Sequence, residues 1–153
     1  RGIIDEALGR SRGGFSTKLH LRCEGLGKPV TFLVTGGEVH DSKAVTALMT
    51  TGWIRRLGRG RPRLKPARVA GDKAYSSGAI RAALRRRGIQ PVIPTRSNER
   101  REPNFDREAY RQRNRVERLI NKLKQFRRIA TRYEKRAVNY LAMVTIAAII
   151  LWL

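Results

Sequence analysis

The stretch YRQRNRVERLINKLKQF, residues 110–126, carries two separate faces, and only a helix can present both. Val116, Leu119, Ile120, Leu123 and Phe126 recur at spacings of three and four, the period of a helix that buries one side. At about 100° per residue, Arg113, Glu117 and Lys124 fall about 60°, 20° and 40° behind Tyr110, mostly opposite that stripe. The spacing predicts one continuous helix over roughly 106–126, with a carboxylate set among two cations and a phenol. Such a group suits metal binding beside a phosphate backbone. The ordinary alternative is a solvated face with an Arg113–Glu117 pair at i, i+4, worth about a few tenths of a kcal/mol.

Charge points to the partner. The chain holds 34 Lys+Arg against 12 Asp+Glu, a net charge of +22 in 153 residues. Self-repulsion at this density disfavours a compact state unless a polyanion is a working partner. A membrane-surface protein fits less well, because the cations are spread along the chain rather than gathered on one amphipathic helix. Hydrophobic residues make up 41% of the chain, enough for a real core, so this is not a disordered basic tail. The lone Cys23 excludes an internal disulfide framework and a cysteine zinc site, and fits a reducing cytoplasm. The terminal run LAMVTIAAIILWL is thirteen residues long, short of the roughly 20 that span a bilayer, and reads as a buried helix. The chain opens at Arg1 with no signal peptide, which leads to the expectation of a missing N-terminal piece.

Element types alternate along the chain. Residues 1–14 are rich in Gly and Arg and irregular. FSTKLHLRCEG alternates at Phe15, Thr17, Leu19 and Leu21 as a half-buried strand does, and KPVTFLVTGG supplies the returning strand of a hairpin. Asp41 or Ser42 is placed to cap a helix through Met49. The loop GWIRRLGRGRPRLKP is too basic and too poor in apolar periodicity to be core. RVAGDKAY is a short strand ending at Gly71–Asp72. SSGAIRAALRRRG is a helix stopped by Gly88, and QPVIPT is another strand. A polar loop from Arg96 to Asn104 precedes two helices, roughly 106–126 and 134–152. This order predicts an α/β fold with a mixed sheet, antiparallel in the hairpin and parallel across the crossover helices.

In such sheets the reactive groups sit at the carboxyl ends of strands, where Asp72 falls. An acid at a strand end, a second on a late helix and a surplus of cations describe metal-dependent phosphoryl transfer, with Mg2+ held by one or two carboxylates plus water and phosphate. A loop or capping role for Asp72 is the competing assignment.

Taken together, RSRGGFSTKLH, TGGEVHDS, VAGDKAY, the spacing Tyr110, Arg113, Glu117, Lys124, and KQFRRIATRYEK resemble the transposases of the insertion-sequence-five group, in order and over most of the chain from Gly9 to Leu153. The resemblance implies a ribonuclease-H-like domain over 15–153, preceded by an irregular remnant at 1–14. It implies a DDE triad of two aspartates and a glutamate holding two Mg2+ or Mn2+ ions. Asp72 matches the second aspartate and Glu117 the glutamate, while Tyr110, Arg113 and Lys124 match residues that accompany the glutamate at the cleaved DNA end. Lys73 and Tyr75 then lie within reach of phosphate or sugar, and Arg127, Arg128 and Arg132 form a phosphate-contacting stripe.

The first aspartate of the family pattern, on an opening strand with a following hydroxyl residue, has no counterpart here. Asp5 and Asp41 are the weaker substitutes, and truncation before the first strand, or a separately encoded N-terminal portion, is the simpler expectation. His20 and His40 read mainly as structural or solvent-facing histidines, with His40 beside Asp41 the better candidate for proton transfer. Trp53 reads as a core anchor, with stacking on a flipped base the alternative. The implied activity is metal-dependent strand cleavage and transfer at insertion-sequence ends. The implied partner is double-stranded DNA, bound by a dimer in a bacterial cytoplasm. The alternatives are an inactive DNA-binding remnant and, more distantly, a structural RNA-binding protein.

Overall fold

The computed structural model describes residues 6–55 and 58–153. Its compact units are two: the chain up to His40 together with Val116–Leu153, and Asp41–Arg115.

The first unit is built on the hairpin that alternation predicts. Strands β1 (Gly9–Ser11), β2 (Gly14–Cys23) and β3 (Pro29–Gly36) form an antiparallel sheet in the order β1-β2-β3, with Leu19 opposite Val34 and Leu21 opposite Phe32. The β2–β3 turn is organised by Glu24, whose carboxylate accepts the Leu26 and Lys28 amides at 2.8 Å, while Gly27 takes φ +90°. One sheet face carries Leu19, Leu21, Phe32 and Val34, which pack on buried Leu119, Leu123, Ile129, Tyr140, Val144 and Ala147. These come from α4 (Asn114–Lys124), α5 (Arg127–Ala130) and α6 (Ala137–Trp152). The α4 stripe is the predicted one, with Leu119 and Leu123 buried and Val116, Ile120 and Phe126 half-buried.

The α6 helix is held at both ends by charge. Glu6 accepts the Ala137 amide at its N-terminus, and Lys28 donates to the Leu151 carbonyl at its C-terminus, the signs that the helix dipole favours. Trp152 adds a bond from Nε1 to the Pro29 carbonyl at 2.7 Å. The terminal run is not wholly buried as expected. Val144 and Ala147 face the core, whereas Val138, Ile146, Ile149 and Ile150 are each more than half exposed. Among the described residues no helix is long and apolar enough to cross a membrane.

The second unit contains α1 (Ala44–Thr50), β4 (Arg68–Ala70), α2 (Gly78–Arg86), β5 (Gln90–Val92) and α3 (Arg107–Arg111). Strands β4 and β5 pair in parallel, joined through α2. The end of α2 follows the Gly88 signal: with φ +65°, Gly88 donates to the Arg85 carbonyl and Ile89 to the Leu84 carbonyl, closing a Schellman motif. Met49, Leu84, Ile89 and Ile93 form the core.

Three expectations need correction. The described strands form two sheets rather than one mixed sheet, because no strand pairs with both the hairpin and the parallel pair. Neither Asp41 nor Ser42 occupies the cap position of α1: Asp41–Lys43 forms a 3-10 turn, and Lys43 stands at the cap without a side-chain bond. The helix expected over 106–126 is broken between α3 and α4. There Arg113 donates to Tyr110 and Arg115 to Gln112, i→i−3 bonds that tighten the chain into a 3-10 turn.

Leu123 is 1% exposed in this core. Leu123→Ala should cost about 3 kcal/mol in urea unfolding, while Val138→Ala on the open side of α6 should stay within about 0.5 kcal/mol. Equal costs at the two positions would contradict the packing described.

Candidate active site

In the second unit the chain leaves β4, passes Gly71 and turns at Asp72. Gly71 is still tied to the parallel sheet by its amide, which donates to the Val92 carbonyl at 3.2 Å. Asp72 takes extended backbone (φ −74°, ψ 166°) and caps a 3-10 turn over Lys73–Tyr75, accepting the Lys73 amide on its carboxylate. Its side chain is exposed, so a hard oxygen donor stands in solvent at the carboxyl end of a parallel strand. Tyr75 packs its ring against the Met49–Ile93 core. Burial, and then the carboxylates of Asp41 and Asp72, push the Tyr75 hydroxyl above the ordinary tyrosine pKa. The 3-10 turn at Asp41–Lys43 packs against the turn at Lys73–Tyr75, which brings the segments of Asp41 and Asp72 into one neighbourhood of this unit.

The Asp72 turn is braced from behind by a group that sequence reading missed. Arg81, on α2, is only 5% exposed. Its Nη2 donates to Ser76 Oγ at 2.8 Å and to the Ile93 and Pro94 carbonyls at 3.1 and 3.3 Å, and its Nη1 donates to Glu99 Oε2 at 3.3 Å. Ser76, the residue that closes the turn, donates its hydroxyl to the same Glu99 oxygen. Arg96 completes the brace by donating from its side chain to the Lys73 and Ala74 carbonyls. One buried guanidinium therefore joins the turn, the end of β5 and the polar loop after it. The segment SSGAIRAALRRRG reads as a helix with several arginines, and nothing in their spacing distinguishes Arg81 from its neighbours.

Tyr110 and Arg113 also belong to this unit. The Arg113 guanidinium lies over the Tyr110 ring at 5.5 Å, and Phe105 meets the same ring at 5.4 Å. The Asp106 carboxylate caps α3 through the Ala109 amide and pairs with Arg68 at 3.0 Å; these contacts lower its pKa, the Ala109 bond most. Trp53 is 59% exposed, which removes the core-anchor assignment.

Glu117 and Lys124 lie in the first unit, both exposed on α4 and seven residues apart, so they share one helix face. Arg127 is exposed; Arg128 is exposed as well and pairs with Glu134 at 3.0 Å. Arg132 is not part of a phosphate-contacting stripe. It is half-buried, donates to Thr17 Oγ1 at 2.6 Å and to the Glu134 and Lys135 carbonyls, and lies over the Tyr140 ring. His20 is buried and hydrogen-bonded to Thr35 Oγ1 at 2.8 Å, a structural histidine as expected, whereas His40 is exposed. Asp5 lies outside the described residues. Tyr110 and Arg113 are thus on α3 and in the break, while Glu117 and Lys124 are on α4, so no single helix carries all four. The described residues contain no group of three or more His, Cys, Asp or Glu that could hold a metal ion.

Comparison with known proteins matches residues 7–153 to the family described as the transposase DDE domain. The chain belongs to that family. A Brucella ovis protein assigned as the transposase for insertion sequence element IS6501 is 30% identical over 142 residues, 90% of this chain and 98% of that relative. A Burkholderia cepacia protein assigned as the transposase for insertion sequence element IS402 is 37% identical over 128 residues, 84% of this chain. The match covers 57% of the latter's own length, so the chain spans little more than half of that relative. No solved structure matches.

The bracing carboxylate gives this transposase domain a pH signature. Glu99 is held below its ordinary pKa, first by the Ser76 hydroxyl and further by the Arg96 amide and Arg81. A depressed carboxylate stabilises the fold fully above the ordinary Glu value of about 4.3, and that stability is lost as pH falls through the folded-state pKa. Thermal midpoints measured from about pH 6 down to 3 should therefore fall less steeply for Glu99→Gln than for the wild type. Parallel acid limbs in the two proteins would remove Glu99 from the brace.

Proposed function

We propose that this chain performs metal-dependent DNA strand cleavage and strand transfer at insertion-sequence ends, in a ribonuclease-H-like domain spanning 15–153. The observation that carries the reading is the exposed Asp72 carboxylate at the carboxyl end of a parallel strand, with the Asp41–Lys43 turn packed against the turn it caps. Membership of the transposase DDE domain family supports this reading.

Asp72 and Glu117 are the residues assigned to hold Mg2+ or Mn2+, with Asp41 a further oxygen donor in the unit of Asp72. Such ions, when bound, activate water and stabilise the charge of an in-line displacement at phosphorus. The chain's own groups do the rest. Arg113 and Lys124 offset charge developing on the scissile phosphate, and the ring of Tyr110 fixes the direction of the Arg113 guanidinium. Lys73, Arg127 and Arg128 contact the backbone of duplex DNA, and Tyr75 supports the Asp72 turn from the core side. The freed 3′-hydroxyl then attacks target DNA with no covalent protein intermediate. A dimer on chromosomal DNA in a bacterial cytoplasm is the working form in this reading.

A second reading, DNA binding without cleavage, draws support from the lack of a three-carboxylate cluster among the described residues. A labelled insertion-sequence-end duplex with Mn2+ separates the two. Cleavage by the wild type, reduced at least about 1000-fold in both Asp72→Asn and Glu117→Gln, is expected from ligands that act as a unit. Equal duplex binding by all three proteins with no nicking would select the second reading. In either case affinity should drop steeply between about 50 and 200 mM salt, as counterion release requires.

A further inference from the structure

The loop between α1 and β4 carries a group of cations that neither the carboxylate site nor the core uses. Gly58, Arg59, Gly60, Arg61, Pro62, Arg63, Leu64 and Lys65 are all exposed. Among the described residues the segment is anchored where Ile54 and Arg63 exchange backbone bonds of 3.0 and 2.8 Å as an isolated antiparallel bridge. Many of the chain's other arginines are engaged: Arg68 with Asp106, Arg81 with Glu99, Arg85 with Glu102, Arg111 with Glu108 and Arg128 with Glu134. Among the described residues Arg59, Arg61 and Arg63 meet no carboxylate.

The backbone here bends over Gly58–Gly60. Gly60 takes φ +132°, a conformation that side-chain-bearing residues rarely adopt, and its missing Cβ leaves the chain thin at that point. Arg59 and Arg61 flank it, one exposed guanidinium on either side of a residue with no side chain. Pro62 then fixes φ near −65° and presents no N–H that would need a partner. The segment is neither a helix nor a two-stranded ribbon, the elements that fill the major groove of B-DNA, about 12 Å wide. The minor groove, about 6 Å wide, admits a thin basic loop. Where A·T tracts narrow it further, its potential deepens and draws arginine in. A-form RNA has a wide, shallow minor groove that gives such a loop no comparable grip.

We infer that Arg59-Gly60-Arg61-Pro62 is a minor-groove arm that inserts Arg59 and Arg61 into A·T-rich duplex DNA. It rests on the DNA-binding reading above and adds to it a base-composition preference supplied from outside the carboxylate site.

The test is fluorescence anisotropy of the full chain on three labelled duplexes of equal length: an A-tract, a G·C duplex, and an I·C duplex that lacks the guanine 2-amino group in the minor groove. The wild type should bind the A-tract about 10-fold or more tighter than the G·C duplex, with the I·C duplex close to the A-tract. Arg59→Ala/Arg61→Ala should bring that ratio to within about 2-fold at unchanged circular dichroism. Arg59→Lys/Arg61→Lys keeps the charge and should keep G·C affinity while losing most of the preference, because lysine's point charge does not replace the planar guanidinium. A wild type indifferent to the three duplexes, or either double variant retaining the full preference, overturns the arm while leaving DNA binding intact. Failure to bind any duplex overturns the DNA-binding reading and the arm together.

Discussion

Twelve carboxylates serve thirty-four cations in this chain, and much of its architecture follows from where those carboxylates are placed. Glu24 shapes the hairpin turn, Glu6 holds the start of α6, and Asp106 both caps α3 and ties it to β4. Glu99 and Glu102 meet the buried Arg81. In a protein repelled by its own charge, a carboxylate spent at a helix end or chain reversal lowers local potential and satisfies backbone donors at once. Asp72 does less of this work. It accepts one neighbouring amide at the surface, and its exposure sets it apart from the carboxylates that hold elements together.

Two kinds of construction result. The turn that carries Asp72 is fixed from several sides, through Gly71 to β5, through Ser76 to Arg81, and through the Lys73 and Ala74 carbonyls to Arg96. Among the described residues, the loop that carries Arg59 and Arg61 is held by the backbone bridge between Ile54 and Arg63. Rigid support suits a group that must hold a fixed geometry toward reacting atoms. A lightly tethered basic segment suits contact with a polymer whose local shape varies.

Much of this was legible in the residues. Alternation found the hairpin because Leu19 and Leu21 lie on the buried side, although Phe15, in the same phase, is 78% exposed near the end of the strand. Gly88 announced the end of α2 because a Schellman motif needs positive φ there. The break before α4 left no trace, since residues 110–116 contain neither glycine nor proline and a 3-10 turn preserves the apparent periodicity. The family was readable from several short motifs in order, which the match over 7–153 bears out. Arg81 and the nearness of Asp41 to Tyr75 were invisible for another reason: burial of a charged side chain and the meeting of distant acids are tertiary facts with no local signature. Arg132 shows the converse, a residue whose basic neighbourhood suggested DNA and whose bonds to Thr17 and two carbonyls make it a clamp within its own unit.

The outward side of α6 bears on how such a protein behaves in concentrated solution. From Ala137 to Leu153 the chain has no charged side chain, and Val138, Ile146, Ile149 and Ile150 stand open to solvent. At low ionic strength, mutual repulsion between highly cationic molecules keeps these greasy ridges from meeting. Salt strong enough to strip away a bound polyanion shortens the range of that repulsion to a few ångströms, while leaving hydrophobic attraction intact. Solubility and freedom from nucleic acid therefore pull in opposite directions, and the colloidal behaviour of the chain is governed by a helix surface remote from its cationic loops in sequence.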